Sequence, residues 1–142
     1  MSYDINKIYA LIENVVVNKV NSEVFLFGKT KGEVNISKLK NKNRKREYVM
    51  CRNLSMYYMF FICKDTLKIP GVTLEWVGSR YGKDHSTVLH AIKTIRNLQE
   101  TDRNIALIVA YCLNMIMTQI GGENVNSAHP WYSYMFPKYD LY

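Results

Sequence analysis

Residues 3–20, YDINKIYALIENVVVNKV, set Ile5, Ile8, Ile12, Val15 and Val16 along one side of a 3.6-residue repeat. That spacing predicts an amphipathic helix with Asp4 as its N-cap. Residues 22–37 hold Gly28, Gly32 and short β-prone pieces such as VFLF without a sustained period, and read as an irregular connection. From Arg44 to about Lys64 the chain contains neither Gly nor Pro and is apolar over most of its circumference after Arg52. A central, largely buried helix is expected there, ending before the turn pair Pro70-Gly71. Its adjacent Met50, Met56, Tyr57, Tyr58, Met59, Phe60 and Phe61 read as core rather than as a stacking platform for single-stranded nucleic acid.

Thr73 stands ahead of LEWVGSRY as an N-cap, with Leu74, Val77 and Tyr81 on the inward side of a short helix. Gly82-Lys83 interrupts the pattern. Asp84 then caps a helix in which Val88, Ala91, Ile92, Ile95 and Leu98 form an inward stripe. A last helix, roughly 102–119, places Ile105, Ile108, Val109, Cys112 and Ile116 on one side and stops at Gly121-Gly122. The expectation is an all-α protein: a helical domain over residues 1–120 and a tail, 121–142. That tail carries Trp131, Tyr132, Tyr134, Phe136, Tyr139 and Tyr142, which suit packing on the domain, self-association or a protein partner.

Two short helices around a tight turn, the second polar on its outer face, make the layout of a helix-turn-helix. At about 100° per residue, Ser86, His90, Lys93 and Asn97 point away from the apolar stripe. Asp84, His85, Ser86 and Thr87 occupy the first turn, the part of a recognition helix that meets base edges in the major groove. Their chemistry suits that place: Asp accepts from a cytosine amino group, Ser and Thr bond base edges or phosphate, and a Thr methyl touches a thymine methyl. Taken alone, Asp84 is an N-cap and Ser86 and Thr87 are ordinary first-turn residues, which is compatible with the same role.

Charge sharpens this picture. The formal net charge is +7, and seven of the nineteen Lys and Arg fall between residues 38 and 52, with only Glu47 against them. A basic run standing alone is usually a solvated loop, whereas one beside a candidate recognition helix is a footprint for a polyanion. Other chemistries find less support. Cys51, Cys63 and Cys112 are odd in number, far apart and set among apolar residues, which suits reduced core thiols. His85 and His90 are five apart, off the one-face spacing of a metal pair, so no metal is expected. Asp84 and His85 have no nucleophile placed beside them, and no enzyme is expected. Gly28-Lys29-Thr30 lacks the glycine a P-loop needs five residues earlier, where Glu23 stands, so no nucleotide or other cofactor is expected. No apolar run looks long enough to span a bilayer and MSYDINK opens no signal peptide, which points to a soluble, cytoplasmic chain.

The stretch YGKDHSTVLHAIKTI resembles the signature FGGRDHSTVLHAIRKI of the C-terminal DNA-binding domain of DnaA, the bacterial chromosomal replication initiator. Upstream, RNLSMY at residues 52–57 is similar to that family's RQIAMY helix, and TLEWVG at 73–78 to its SLPEIG. The three matches cover about residues 44–98 in the family's order. The resemblance implies an all-α bundle containing a Trp-repressor-like helix-turn-helix. It also implies that Asp84, His85, Ser86 and Thr87 contact bases and phosphates, that Arg52 touches the DNA backbone or a base, and that Arg44 or Arg46 enters the neighbouring minor groove. Lys83 replaces the signature's arginine. The turn has one glycine where the family usually has two, the loop at Ile69-Pro70-Gly71 is longer, and Phe60 stands where the family often has lysine. These departures bear on the target sequence. The family's ATPase works through a separate nucleotide-binding domain, for which 142 residues leave no room beside this one.

The expected function is sequence-specific binding of double-stranded DNA, in replication initiation or transcription control, without ATPase activity. Arg44, Lys45, Arg46, Arg52, Lys83, Asp84, His85, Ser86, Thr87, His90 and Lys93 form the expected DNA-binding set, and a stand-alone domain of this kind suits a phage or mobile element. Two alternatives keep the fold: an assembly module, for example virion-associated, or non-specific coating of DNA by charge.

Overall fold

The structure, a computed structural model, describes residues 4–23 and 34–121. Helix α1 spans Ile5–Ser22 and begins where the Asp4 carboxylate accepts from the backbone N–H of Asn6 and Lys7 at 3.1 and 3.2 Å. These bonds satisfy donors that a helix start leaves without intrahelical partners. A short 3₁₀ turn, Ile36–Lys38, leads to α2, Arg46–Tyr58, which continues without a break as a π-helical segment, Met59–Thr66. Then follow α3, Leu74–Ser79, α4, His85–Thr101, and α5, Arg103–Gly121. Every described regular element is helical, as the hydropathy pattern predicts.

Helix α2 is the central element, packed between α1 and α4, while α5 closes the bundle against α1 and α4 and α3 rests on α4. Met56, Tyr57, Tyr58, Met59 and Phe61 are buried. The run read as core is core, with Met50 and Phe60 half-buried at its edge. Two of these rings also carry a hydroxyl that burial obliges to find a partner. The Tyr57 hydroxyl donates to Gln99 Oε1 at 2.8 Å and that of Tyr58 to the Val109 carbonyl at 2.7 Å, so α2 is tied to both α4 and α5. The first bond adds to the expected inward stripe of α4. Leu98 packs half-buried against the core as expected, and Gln99 is buried beside it, supplying the acceptor opposite Tyr57.

The widening of the helix over Met59–Thr66 has no counterpart in residue spacing. It ends at Lys68, whose φ of 54° is left-handed, and the Ile69 N–H closes back onto the Cys63 carbonyl at 2.8 Å. This αL closure stops the helix before Pro70, as expected. A correction concerns α5. Over Arg103–Ile120 it is long and apolar enough, by length and composition, to cross a membrane, contrary to the expectation from sequence. Its Ile105, Ile108, Val109, Cys112, Leu113 and Ile116 instead face the core, so its apolar content is used in packing the bundle. The expectations placed on Gly28-Lys29-Thr30 and on the aromatic residues from Trp131 onward lie outside the described residues.

Cys51, Cys63 and Cys112 are free and buried, and burial pushes each thiol up to about 12. Since the thiolate is the reactive form, all three should resist a thiol reagent at pH 8 in the native protein and react together on unfolding in urea. Stoichiometric labelling of even one thiol without denaturant would contradict this packing.

Candidate nucleic-acid interface

The helix-turn-helix is built around one glycine. Gly78 lies in the last turn of α3. A Cβ placed there would sit 2.4 Å from the Lys83 carbonyl oxygen and 2.8 Å from Val88 Cγ2. Only hydrogen fits between α3 and the start of α4. The same residue's carbonyl accepts from the Tyr81 and Lys83 N–H groups at 3.0 and 2.9 Å, and Gly82, at φ 66°, turns the chain between them. Thr73 caps α3 through the Trp76 N–H at 3.1 Å, and Val77, Tyr81, Val88, Ala91, Ile92 and Ile95 are buried beneath the unit.

A second set of contacts ties this turn to α1. Glu13 is buried, although its position in the sequence gives no warning of it. Its carboxylate receives Arg80 Nε at 2.8 Å and Nη2 at 2.9 Å, together with the Tyr81 hydroxyl. The Arg80 guanidinium lies 4.6 Å from the Tyr9 ring centre, and the Tyr9 hydroxyl donates to the Val77 carbonyl at 2.7 Å. Hydrogen bonding to Glu13 raises the Arg80 pKa.

Burial on one side of α4 leaves its other side in water. Lys83, Asp84, His85, Ser86, His90 and Lys93 are exposed and Thr87 is half-buried, as the spacing predicts. The Asp84 carboxylate accepts from both the backbone N–H and the hydroxyl of Thr87, each at 2.9 Å. The N–H first, and the hydroxyl next, hold its pKa below the ordinary carboxylate value. Leu89, 49% exposed on this face, is absent from the set expected from sequence. Its outward phase between Ser86 and Lys93 is the signal that points to it.

Of the seven cations in residues 38–52, six are exposed: Lys38, Lys40, Lys42, Arg44, Lys45 and Arg46. The seventh, Arg52, is 7% exposed. Its Nη1 donates to the Leu39 and Asn41 carbonyls at 3.2 and 3.4 Å, and its Nη2 to that of Asn43. Arg52, expected to touch DNA, has a structural role in this fold. Its guanidinium holds the basic loop from beneath, while Leu39 plugs the loop into the core and the Tyr48 hydroxyl accepts from the Asn35 N–H at 2.9 Å. Burial lowers the Arg52 pKa, the usual effect of desolvating a cation.

This anchoring brings the loop alongside α4. Arg44 and Arg46 line a surface groove of about 340 Å³ together with Val49, Asn53 and, from α4, Thr94 and Leu98. Eight residues separate Thr94 from Ser86, about 12 Å along the helix. The groove with its two arginines thus borders α4 about two turns beyond the exposed first turn. Among the described residues no cluster of three His, Cys, Asp or Glu is placed to hold a metal.

Residues 30–95 match the profile of the bacterial dnaA protein helix-turn-helix. The chain is a DnaA C-terminal domain-like protein. It is 32% identical over 85 residues to the chromosomal replication initiator protein DnaA 2 of Chlamydia pneumoniae, covering 60% of this chain and 17% of that one. With the DnaA of Flavobacterium psychrophilum the identity is 34% over 94 residues, 66% of this chain and 17% of the relative. With that of Thermus thermophilus it is 34% over 68 residues, 47% and 14%. The chain thus spans about a sixth of the length of the first two relatives. No solved structure matches. The profile match contains the basic loop, α2, α3 and most of α4, while the alignments with the first two relatives, 85 and 94 residues long, reach beyond it into at least one flanking helix.

Gly78→Ala should lower the unfolding free energy by about 1–3 kcal/mol, the usual range for forcing a methyl into a filled site. An unchanged urea midpoint would refute the close approach. Asp84 makes a pH prediction. Its folded pKa lies below the unfolded value, so the cap's contribution is present above the unfolded pKa and is lost as pH falls through the lower, folded one. The Thr87 amide proton shift should report that titration, and a midpoint at or above the ordinary aspartate value would contradict the cap.

Proposed function

We propose that this protein binds double-stranded DNA with sequence preference, presenting the first turn of α4 to the major groove. The observation that carries the reading is the two-sided build of α4. Val88, Ala91, Ile92 and Ile95 are sealed in the core, while Asp84, His85 and Ser86 stand in water at the helix start. In this role His85, Ser86 and Thr87 meet base edges, Leu89 offers apolar contact to thymine methyls, and Lys83, His90 and Lys93 face phosphates along the groove walls. Asp84 holds the turn in shape and can accept from a cytosine amino group. The basic loop, with Lys40, Lys42, Arg44, Lys45 and Arg46, takes the neighbouring phosphates, and Arg44 or Arg46 reaches the minor groove.

The relatives are named chromosomal replication initiators, which favours a duplex linked to a replication origin. Control of transcription from the same kind of site is the other outcome this surface permits. Neither role calls on chemistry by the protein itself, and the reading assigns it none.

Selection from random duplex DNA should enrich one motif. His85→Ala or Thr87→Ala should then reduce discrimination by about 1–3 kcal/mol for each base interaction removed. Lys40→Ala or Lys42→Ala should weaken all sequences alike and make the slope of log affinity against log salt shallower by about 0.9 for each phosphate no longer neutralised. Uniform weakening from both kinds of substitution would leave only charge-driven coating. No binding at low salt would leave an assembly module.

A further inference from the structure

The family match begins at residue 30, so α1 lies wholly outside it, yet α1 supplies the buried carboxylate that holds the reading head. We infer that Glu13 is a positioning residue for DNA recognition, acting through Arg80 and Tyr81 to set the angle at which α4 leaves the turn. The inference rests on the DNA-binding reading proposed above.

Three features make this more than a packing contact. First, the contacts converge on the turn itself. Arg80 and Tyr81 lie between the end of α3 at Ser79 and the cap of α4 at Asp84, where a small change of backbone angle is carried along the whole of α4. Second, the contact is directional. Arg80 meets Glu13 through two nitrogens, Nε at 2.8 Å and Nη2 at 2.9 Å, and the Tyr81 hydroxyl donates to the same carboxylate. A planar guanidinium against a planar carboxylate fixes orientation as well as distance, which apolar packing at the same place would not do. Third, α1 grips the unit twice. One helical turn before Glu13, the Tyr9 hydroxyl donates to the Val77 carbonyl of α3 at 2.7 Å, and the Tyr9 ring meets the Tyr81 ring edge-on at 5.9 Å. Buried charge adds little net stability compared with apolar residues of the same shape, and its best-supported use is to select one geometry. A turn with a single glycine at φ 66° has to be held in one angle if the atoms of His85 and Ser86 are to meet particular bases.

The experiment uses the full chain and compares wild type with Glu13→Gln and with Tyr81→Phe, the second removing only a hydroxyl in case the first unfolds the protein. Three quantities are read: the urea midpoint, the affinity for a scrambled duplex, and the ratio of affinities for the selected and scrambled duplexes at one salt concentration. The expected result is folded variants whose affinity for the scrambled duplex stays within about twofold, because the basic loop is untouched, while the ratio falls by about tenfold or more, as for a misaligned base contact. Arg80→Lys, which keeps the charge and removes the two-point pairing, should lower the ratio as Glu13→Gln does. Wild-type discrimination with an unchanged ratio in folded Tyr81→Phe and Glu13→Gln overturns the role of Glu13 and leaves DNA reading intact. Absence of discrimination in the wild type overturns the DNA reading and this role with it.

Discussion

Burial of Val88, Ala91, Ile92 and Ile95 against α2 and α3 decides which atoms of α4 water can reach, and the exposed face of its first turn follows from that rotation. A helix turned by a third of a revolution would hide His85 and Ser86 and expose a greasy stripe. The rotation is held at both ends of the helix. At the start, Gly78 lets α3 approach until nothing larger than hydrogen fits between them. Toward the end, the Tyr57 hydroxyl captures Gln99 in the core, a pairing that only one helical phase satisfies.

The basic loop presents the opposite physical problem. Six exposed cations repel one another, and a short 3₁₀ turn with a few turn hydrogen bonds does little to hold them, so much of the loop's shape comes from below. Arg52 supplies it by bonding three carbonyls at once. The Asn21 side chain adds a matched pair with Val34, accepting at 2.8 Å and donating at 3.1 Å, where the described chain resumes. A cation is thus used to organise other cations, and this works because carbonyl oxygens offset its charge while the exposed side chains stay in water.

Helices α1 and α5 lie outside the profile match, but the core is not complete without them. Helix α5 contributes an apolar face long enough to be mistaken for a membrane span. Helix α1 contributes both an aliphatic stripe and the buried Glu13. The helix-turn-helix therefore sits in a housing made by the helices that flank it in the chain.

Helix periodicity, the caps at Asp4, Thr73 and Asp84, and the break at Pro70-Gly71 were all legible in the residues, because each depends on neighbours within about one turn. The outward face of α4 was legible for the same reason, and the family motif told which of its residues to weigh. The burial of Glu13, the entry of Gln99 into the core and the capture of Arg52 by the loop were not. Each pairs groups between nine and 68 positions apart, and a polar residue looks the same in sequence whether water or a distant partner satisfies it. Local spacing determined the helices and the side of each that is apolar. The tertiary structure alone decided which charges are buried and what they hold, since burying a charge depends on a partner that only folding brings near.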